Sequence, residues 1–350
     1  MRLGLIAFAV ACTTGMSPAL ALANAGAEPA ASGDAPAPAP SPAPAPAPVS
    51  PQHASTSWFT LGTMGGPIAS GPRSQPANLL VRGRDAYLID CGDGALERLA
   101  ATRIRLQQVH AVILSHLHFD HTAGLQAVLG LRFQTGVEDK LTIYGPPGTR
   151  AVVDGLLASM KPAVEAGYGL PGETSANPAD SVAVVELTDG STFNLEDVAV
   201  TVRQNTHYSF SAGSAADRHF KSLSFRFAAP DRTIAYTGDT GPSPAVEQLA
   251  KDADLLVSEM IDVDRTVANV RRNSPDMSVR AMAGMTQHLS THHLLPEQVG
   301  KLAARAGVKS VVVTHIVAPT ASAGDLLDYL ARISATYRGP TVIAEDLDEF

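Results

Sequence analysis

Three observations predict an α/β fold for this 350-residue sequence. From about Ser57 onward short β-like runs alternate with helix-like ones, several of the β-like runs are rich in Val and Ile, and no short-period repeat points to a solenoid. At roughly 150 residues per domain the length allows one large domain or two small ones, and a single domain is the simplest division. It would occupy residues 57–350.

In chain order the strand candidates are NLLVRG from Asn78, AYLID from Ala86, HAVILSH from His110, LTIYG from Leu141, VAVTVRQNTH from Val198, TIAYTGD from Thr233, DLLVSE from Asp254 and SVVVTH from Ser310. Helical patterns fall at Thr122–Leu129, Gly148–Met160, Ser243–Ala250 and Pro296–Ala306. In the last, Pro296 suits a first turn, Val299, Leu302 and Ala303 share a face, and Gly307 is a stop. His116, His207, Asp239 and His315 each come at or just after the end of a β-like run. Ligands in open α/β architectures gather at the carboxyl ends of strands, so these endings are expected to converge.

Residues 1–25 have one basic residue, Arg2, then an apolar stretch and the small residues Ala23-Asn24-Ala25, the pattern of a secretory signal peptide cleaved after Ala25. The apolar run is shorter than the roughly 20 residues of a spanning helix. AVAC at Cys12 loosely resembles a lipoprotein processing site, the alternative in which the chain is anchored through Cys12, although Ala9 is a poor match for it. Residues 26–56 read as an Ala/Pro-rich linker, an extended polyproline spacer. The expected location is periplasmic or secreted. A mature chain would keep only Cys91, hence no intrachain disulfide, and Cys91 after the apolar run YLID is expected to be a buried structural thiol. The formal charge of -8 and the lack of a Lys/Arg stripe argue against long nucleic acid as a partner.

The stretch SHLHFDHTAGL crowds His116, His118, Asp120 and His121 onto one turn. Imidazole nitrogen and carboxylate oxygen both bind zinc, and H-x-H-x-D-H suits two ions: His116 and His118 for one, Asp120 and His121 for the other. Neither site is complete with two ligands. His207 supplies the third histidine of the first, His315 joins the second, and Asp239 in YTGDTG is placed to bridge both. Burying so many polar groups without a metal or partners would be costly, whereas His110 and His219 read as ordinary surface or packed residues.

The ordered motifs LGTMGGP from Leu61, LIDCGDG from Leu88, the histidine turn, IYGPPGT from Ile143, His207, TGDTGPS from Thr237 and VVVTH ending at His315 resemble the metallo-β-lactamase fold superfamily of metal-dependent hydrolases. The resemblance covers nearly all of 57–350 and implies a four-layer αβ/βα sandwich with the metals at one edge between two central sheets. DADLLVSEM with Glu259, and THHLLPEQVGKLAARAGVKSVVVTH with His293, look most like the ribonuclease Z-like branch, which also contains arylsulfatase-type enzymes. In that branch the matching glutamate and histidine form a pair that assists the leaving group, which implies Glu259 orienting His293; His292 is a rival for the same task.

Two departures bear on the substrate. Phe119 stands where ribonuclease Z usually has glycine, and no long Gly- and Pro-rich basic arm is present. With the signal-like leader these favour an exported dinuclear zinc hydrolase, with Mn2+ or Fe as alternative metals, cleaving a small ester: sulfate ester or phosphodiester first, with a lactam or lactone, or a ribonuclease Z-like phosphodiester, as the alternatives. Zinc ions about 3.5–4 Å apart would lower the pKa of a water between them, Asp120 would orient that water and take its proton, and His293 would protonate the departing oxygen. The expected partner is a small-molecule ester, with a homodimer left open. Iron-based redox chemistry uses similar ligands, but nothing resembles an appended flavin or rubredoxin module, and a non-enzymatic metal sensor would not need the proton donor. The loops GLPGETSANP and YSFSAGSAADRHF are expected to form pocket walls.

Overall fold

Among the described residues regular pairing begins at β1 (Thr56–Gly62), one residue inside the stretch read as linker. The backbone N–H and hydroxyl of Thr56 both donate to Asp231, which ties this first residue into the fold. The computed structural model describes residues 54–66, 70–137, 139–172, 176–319 and 321–350. The leader and all of the spacer before residue 54 therefore lie outside the described residues.

The first half of the chain runs β2 (Ala77–Arg82), β3 (Asp85–Cys91), α1 (Ala95–Ala101), β4 (Val109–Ile113), α2 (Phe119–Thr122), α3 (Leu125–Gln134), β5 (Leu141–Gly145), α4 (Thr149–Ala166) and β6 (Val182–Glu186). The second runs β7 (Thr192–Leu195), β8 (Val198–Gln204), α5 (Ala215–His219), β9 (Leu223–Ala228), β10 (Thr233–Tyr236), α6 (Pro244–Leu249), β11 (Leu255–Ile261), α7 (Val263–Asn273), α8 (Val279–Thr291), α9 (Pro296–Ala306), β12 (Val311–Val317), α10 (Ala323–Ser334), β13 (Thr341–Ile343) and β14 (Asp348–Glu349). Among the described residues these strands make two sheets, in the orders β14-β1-β2-β3-β4-β5-β6 and β13-β12-β11-β10-β9-β8-β7. Each changes from antiparallel to parallel pairing part-way, at β3–β4 in one and β10–β11 in the other.

Three apolar layers hold the sheets and helices together. Trp58, Leu80, Ile89 and Ile113 of the first sheet meet Val200, Phe225, Phe227, Tyr236 and Val257 of the second in the central layer. The outer face of the first sheet buries Leu79, Leu88 and Val112 against Leu99, Val128 and Val153 of α1, α3 and α4. The outer face of the second buries Leu256 and Val313 against Val246, Leu302 and Ile333 of α6, α9 and α10. The result is a four-layer αβ/βα sandwich, as the resemblance implied.

Several elements differ from expectation. The single helix expected over Thr122–Leu129 is two, α2 and α3, broken at Ala123-Gly124. There the Gly124 N–H donates to the Cys91 carbonyl at 2.9 Å, and a side chain at 124 would meet the Gly92 carbonyl oxygen at 2.2 Å. Strands β1, β6, β7, β9, β13 and β14 are missing from the sequence reading: β7, β13 and β14 are four residues or shorter, β6 is partly exposed without a clean alternation of buried and exposed residues, and β1 and β9 are largely buried. Helix α4 continues to Ala166 past the expected end at Met160, with Pro162 inside it. Among the described residues no helix is long and apolar enough to cross a membrane.

Candidate metal centre

The parallel strands β3, β4, β10, β11 and β12 deliver polar side chains to one edge of the sandwich. His116 and Asp239 follow β4 and β10 by three residues, and His207 follows β8 by three, whereas His315 lies within β12, which continues to Val317. The chain places His315 by a bulge: Ser258 pairs with Val313 and Met260 with Ile316, so Thr314 and His315 stand against the single residue Glu259. His315 takes φ 42°, in the left-handed region, and its ring turns into the site. The histidine turn itself is α2, with His118 as its N-cap residue and Asp120 in its first turn.

All seven residues singled out as ligands come together, in two clusters around Asp239. In the first, His118 Nδ1 lies 2.9 Å from His116 Nε2 and 3.1 Å from His207 Nε2, and Asp239 Oδ2 is 3.8 and 3.9 Å from those two nitrogens. In the second, His121 Nε2 and His315 Nε2 each lie 3.5 Å from Asp120 Oδ2, and 3.4 and 3.1 Å from Asp239 Oδ1. One oxygen of Asp239 thus faces each cluster.

Among the described residues, His121 Nε2, His315 Nε2 and Asp239 Oδ1 are buried with no hydrogen-bond partner. Such atoms converge at a cost unless a cation joins them. Nitrogen and oxygen donors at this density suit a divalent metal ion, so the residues fit the group expected there.

The electrostatics of the two clusters differ. Burial drives His116 and His207 well below the ordinary imidazole range, and neighbouring histidines add to the effect. Burial opposes a charge on His121 and His315 too, yet Asp239 and Asp120 hold His121 well above that range and lift His315 to about 10. Burial would raise Asp239, but His315 and His121 hold it well below the carboxylate range.

A residue outside the expected set anchors the arrangement. Asp90, fully buried, accepts from the Ser115 N–H at 2.7 Å, the Ser115 hydroxyl at 2.8 Å, the Tyr236 hydroxyl at 2.7 Å and His121 Nδ1 at 2.9 Å. It thereby fixes which His121 nitrogen faces the cluster. Ser115 in turn lies 3.0 Å from His116 Nδ1, and His207 Nδ1 donates to the His292 carbonyl at 3.2 Å. The available signal was its place in LIDCGDG. Its φ of 56°, at a second bulge where Ala77 pairs with Cys91 and Asn78 with Ile89, is visible only in the fold.

Beside the second cluster His293 Nδ1 donates to Glu259 Oε2 at 2.7 Å, while Glu259 Oε1 accepts from the Thr240 N–H at 2.6 Å. Both residues are buried. The rival His292 turns its ring to His288 instead, with the two Nδ1 atoms 2.9 Å apart. His110, by contrast, pairs with Asp85 at 3.1 Å away from the site, and His219 is exposed on α5. Cys91 is buried and free, and burial pushes its thiol up.

Residues 86–316 match the family described as the beta-lactamase superfamily domain. The chain belongs to the β-lactamase superfamily. This superfamily hydrolase is 30% identical to the ribonuclease Z of Mycobacterium marinum over 290 residues, 82% of this chain and 95% of that one. It is also 30% identical to that of Mycolicibacterium gilvum over 290 residues, 82% of this chain and 93% of that one. Solved structures agree on the fold. The metallo-beta-lactamase fold protein YhfI from Bacillus subtilis matches with a TM-score of 0.61 at 18% identity, covering 84% of this chain and 98% of that one. Human tRNase Z, short form, matches with a TM-score of 0.58 at 20% identity and the same coverage. The hydrolase is thus ribonuclease Z-like and metal-dependent. These relatives favour the ribonuclease Z-like phosphodiesterase alternative over the sulfate ester that the sequence reading ranked first together with phosphodiesters.

Proposed function

We propose that this hydrolase cleaves phosphodiesters with two divalent metal ions, zinc ahead of Mn2+ or Fe. The observation that carries the reading is Asp239, with one oxygen toward each histidine cluster and the 2.7 Å Glu259–His293 pair alongside. His116, His118 and His207 would hold one ion, Asp120, His121 and His315 the other, and Asp239 both. When bound, the ions supply Lewis acidity toward a phosphoryl oxygen and lower the pKa of water.

The chain's own groups do the rest. Asp120, fixed by the Gly66 N–H at 2.8 Å, orients the attacking water and takes its proton. With Nδ1 committed to Glu259, His293 keeps Nε2 for the departing oxygen. Burial works against a charged ring, but Glu259 raises His293 above its ordinary value and so favours the protonated ring. That proton passes from Nε2 to the leaving oxygen as the P–O bond breaks. The leader-like residues 1–25 and the spacer 26–56 support an exported protein whose catalytic domain spans 57–350, which fractionation of the producing cell decides.

Metal-loaded protein assayed in parallel on bis(p-nitrophenyl) phosphate, p-nitrophenyl sulfate, a chromogenic lactam and a 3′-extended RNA tests the proposal. Phosphodiester turnover is expected to exceed the others. Turnover confined to the sulfate or the lactam overturns it.

A further inference from the structure

The loop between β8 and β9, expected as a pocket wall, carries a series of aromatic rings that leads from the metal centre to solvent. Tyr208 is rooted in the first histidine cluster, its ring centroid 5.0 Å from His207 and 5.4 Å from His118. Phe210 follows at 5.5 Å from Tyr208, and Phe220 at 5.8 Å from Phe210. Tilts of 40° and 43° between successive rings leave their faces unstacked on one another. Phe210 and Phe220 remain 42% and 49% exposed, where packing alone would favour covering them.

Resting on the phosphodiesterase reading, we infer that Tyr208, Phe210 and Phe220 form a subsite that stacks a planar ring of the substrate, making aryl or nucleoside phosphodiesters the substrate class. A phosphate held by the histidine clusters carries its ester substituent outward, and this series is continuous with the first cluster. Aromatic faces bind nucleobases and aryl rings alike without reading their edges. The loop's two fixed cations form no phosphate-binding stripe, since Lys221 pairs with Asp217 at 3.3 Å and Arg218 turns to the Gly213 carbonyl. That favours a small ligand over a long strand.

The test compares bis(p-nitrophenyl) phosphate with methyl p-nitrophenyl phosphate, which share a leaving group, and measures calorimetrically the binding of phenyl phosphate, thymidine 5′-phosphate and methyl phosphate to the metal-loaded protein. The wild type is expected to favour the ring-bearing member about tenfold in both readouts. The double substitution Phe210→Leu with Phe220→Leu keeps apolar bulk but removes the rings, and should bring the ratio close to one. Loss for phenyl phosphate alone assigns a simple aryl group, and loss for both ligands assigns rings generally. A ratio that persists in the leucine variant, or is absent in the wild type, overturns the subsite. If neither diester is hydrolysed the phosphodiesterase reading fails, while the calorimetric ratio still decides the subsite.

Discussion

Asp90 gathers four donors, two from Ser115, one from Tyr236 and one from His121, and of these the Ser115 hydroxyl also has His116 Nδ1 within 3.0 Å. Asp90→Ala takes the acceptor from the other three buried donors, so a loss of about 3 kcal/mol and a 10- to 100-fold weaker metal affinity are expected. Denaturant titration and metal analysis check both. A second residue-scale prediction separates the histidines. His293→Ala is expected to keep its metal yet lose about 10²- to 10⁴-fold in kcat, most on poor leaving groups, whereas His116→Ala should lose metal. Unchanged turnover of a poor leaving group by His293→Ala would remove the proton-donor role. Gly66 matters because its Cβ would lie 2.3 Å from Asp120 Oδ2, so Gly66→Ala should displace Asp120 and cut metal content while circular dichroism stays native.

At the scale of elements, the two bulges explain why single residues on otherwise regular strands reach the site. Each gives one strand an extra residue, Asp90 on β3 and the Thr314–His315 step on β12, and each places a non-glycine residue at positive φ. Away from the site, Arg82 at the end of β2 clasps the two sheets. Its guanidinium bonds Asp197 at 2.7 Å, just before β8, and Asp231 at 2.9 Å, in the turn before β10. The hydrogen bond from Arg82 holds Asp197 below the usual carboxylate range. Burial would raise Asp231, but Thr56 and Arg82 outweigh it and lower it too. A depressed carboxylate contributes stability above its unfolded pKa of about 3.9 and loses it as pH falls through the folded value. Arg82→Met is therefore expected to cost about 2 kcal/mol at pH 7 and progressively less below about pH 4, measured as the Tm difference from wild type across that range.

For the whole molecule, the candidate metal centre joins the two halves of the sandwich, since loops of the first sheet carry His116 to His121, loops of the second carry His207 and Asp239, and strand β12 of the second carries His315. Bound ions should therefore stabilise the native state as a whole. Chelation is expected to lower Tm and abolish phosphodiester turnover, and Zn2+ or Mn2+ to restore both. Calorimetry with and without chelator checks this.

Much of this architecture is legible in the chain itself. The long Val- and Ile-rich parallel strands, buried on both faces, are a local pattern that burial enforces, and the helix stop is one that Gly307 sets by its φ of 66°. The short, partly exposed β6 and β7 carry no such pattern, and the break at Gly124 depends on Cys91, thirty-odd residues earlier. The sequence by itself determined the histidine turn, because its four candidate ligands sit within six residues, and that spacing holds them close whatever surrounds them. Only the tertiary structure decided that Asp239 faces both clusters, that Asp90 fixes His121, and that Glu259 takes His293 rather than His292. Those choices depend on side-chain directions set by strand register and bulges across contacts 25 to 146 residues apart for Asp90, and direction at that range is a property of packing rather than of spacing.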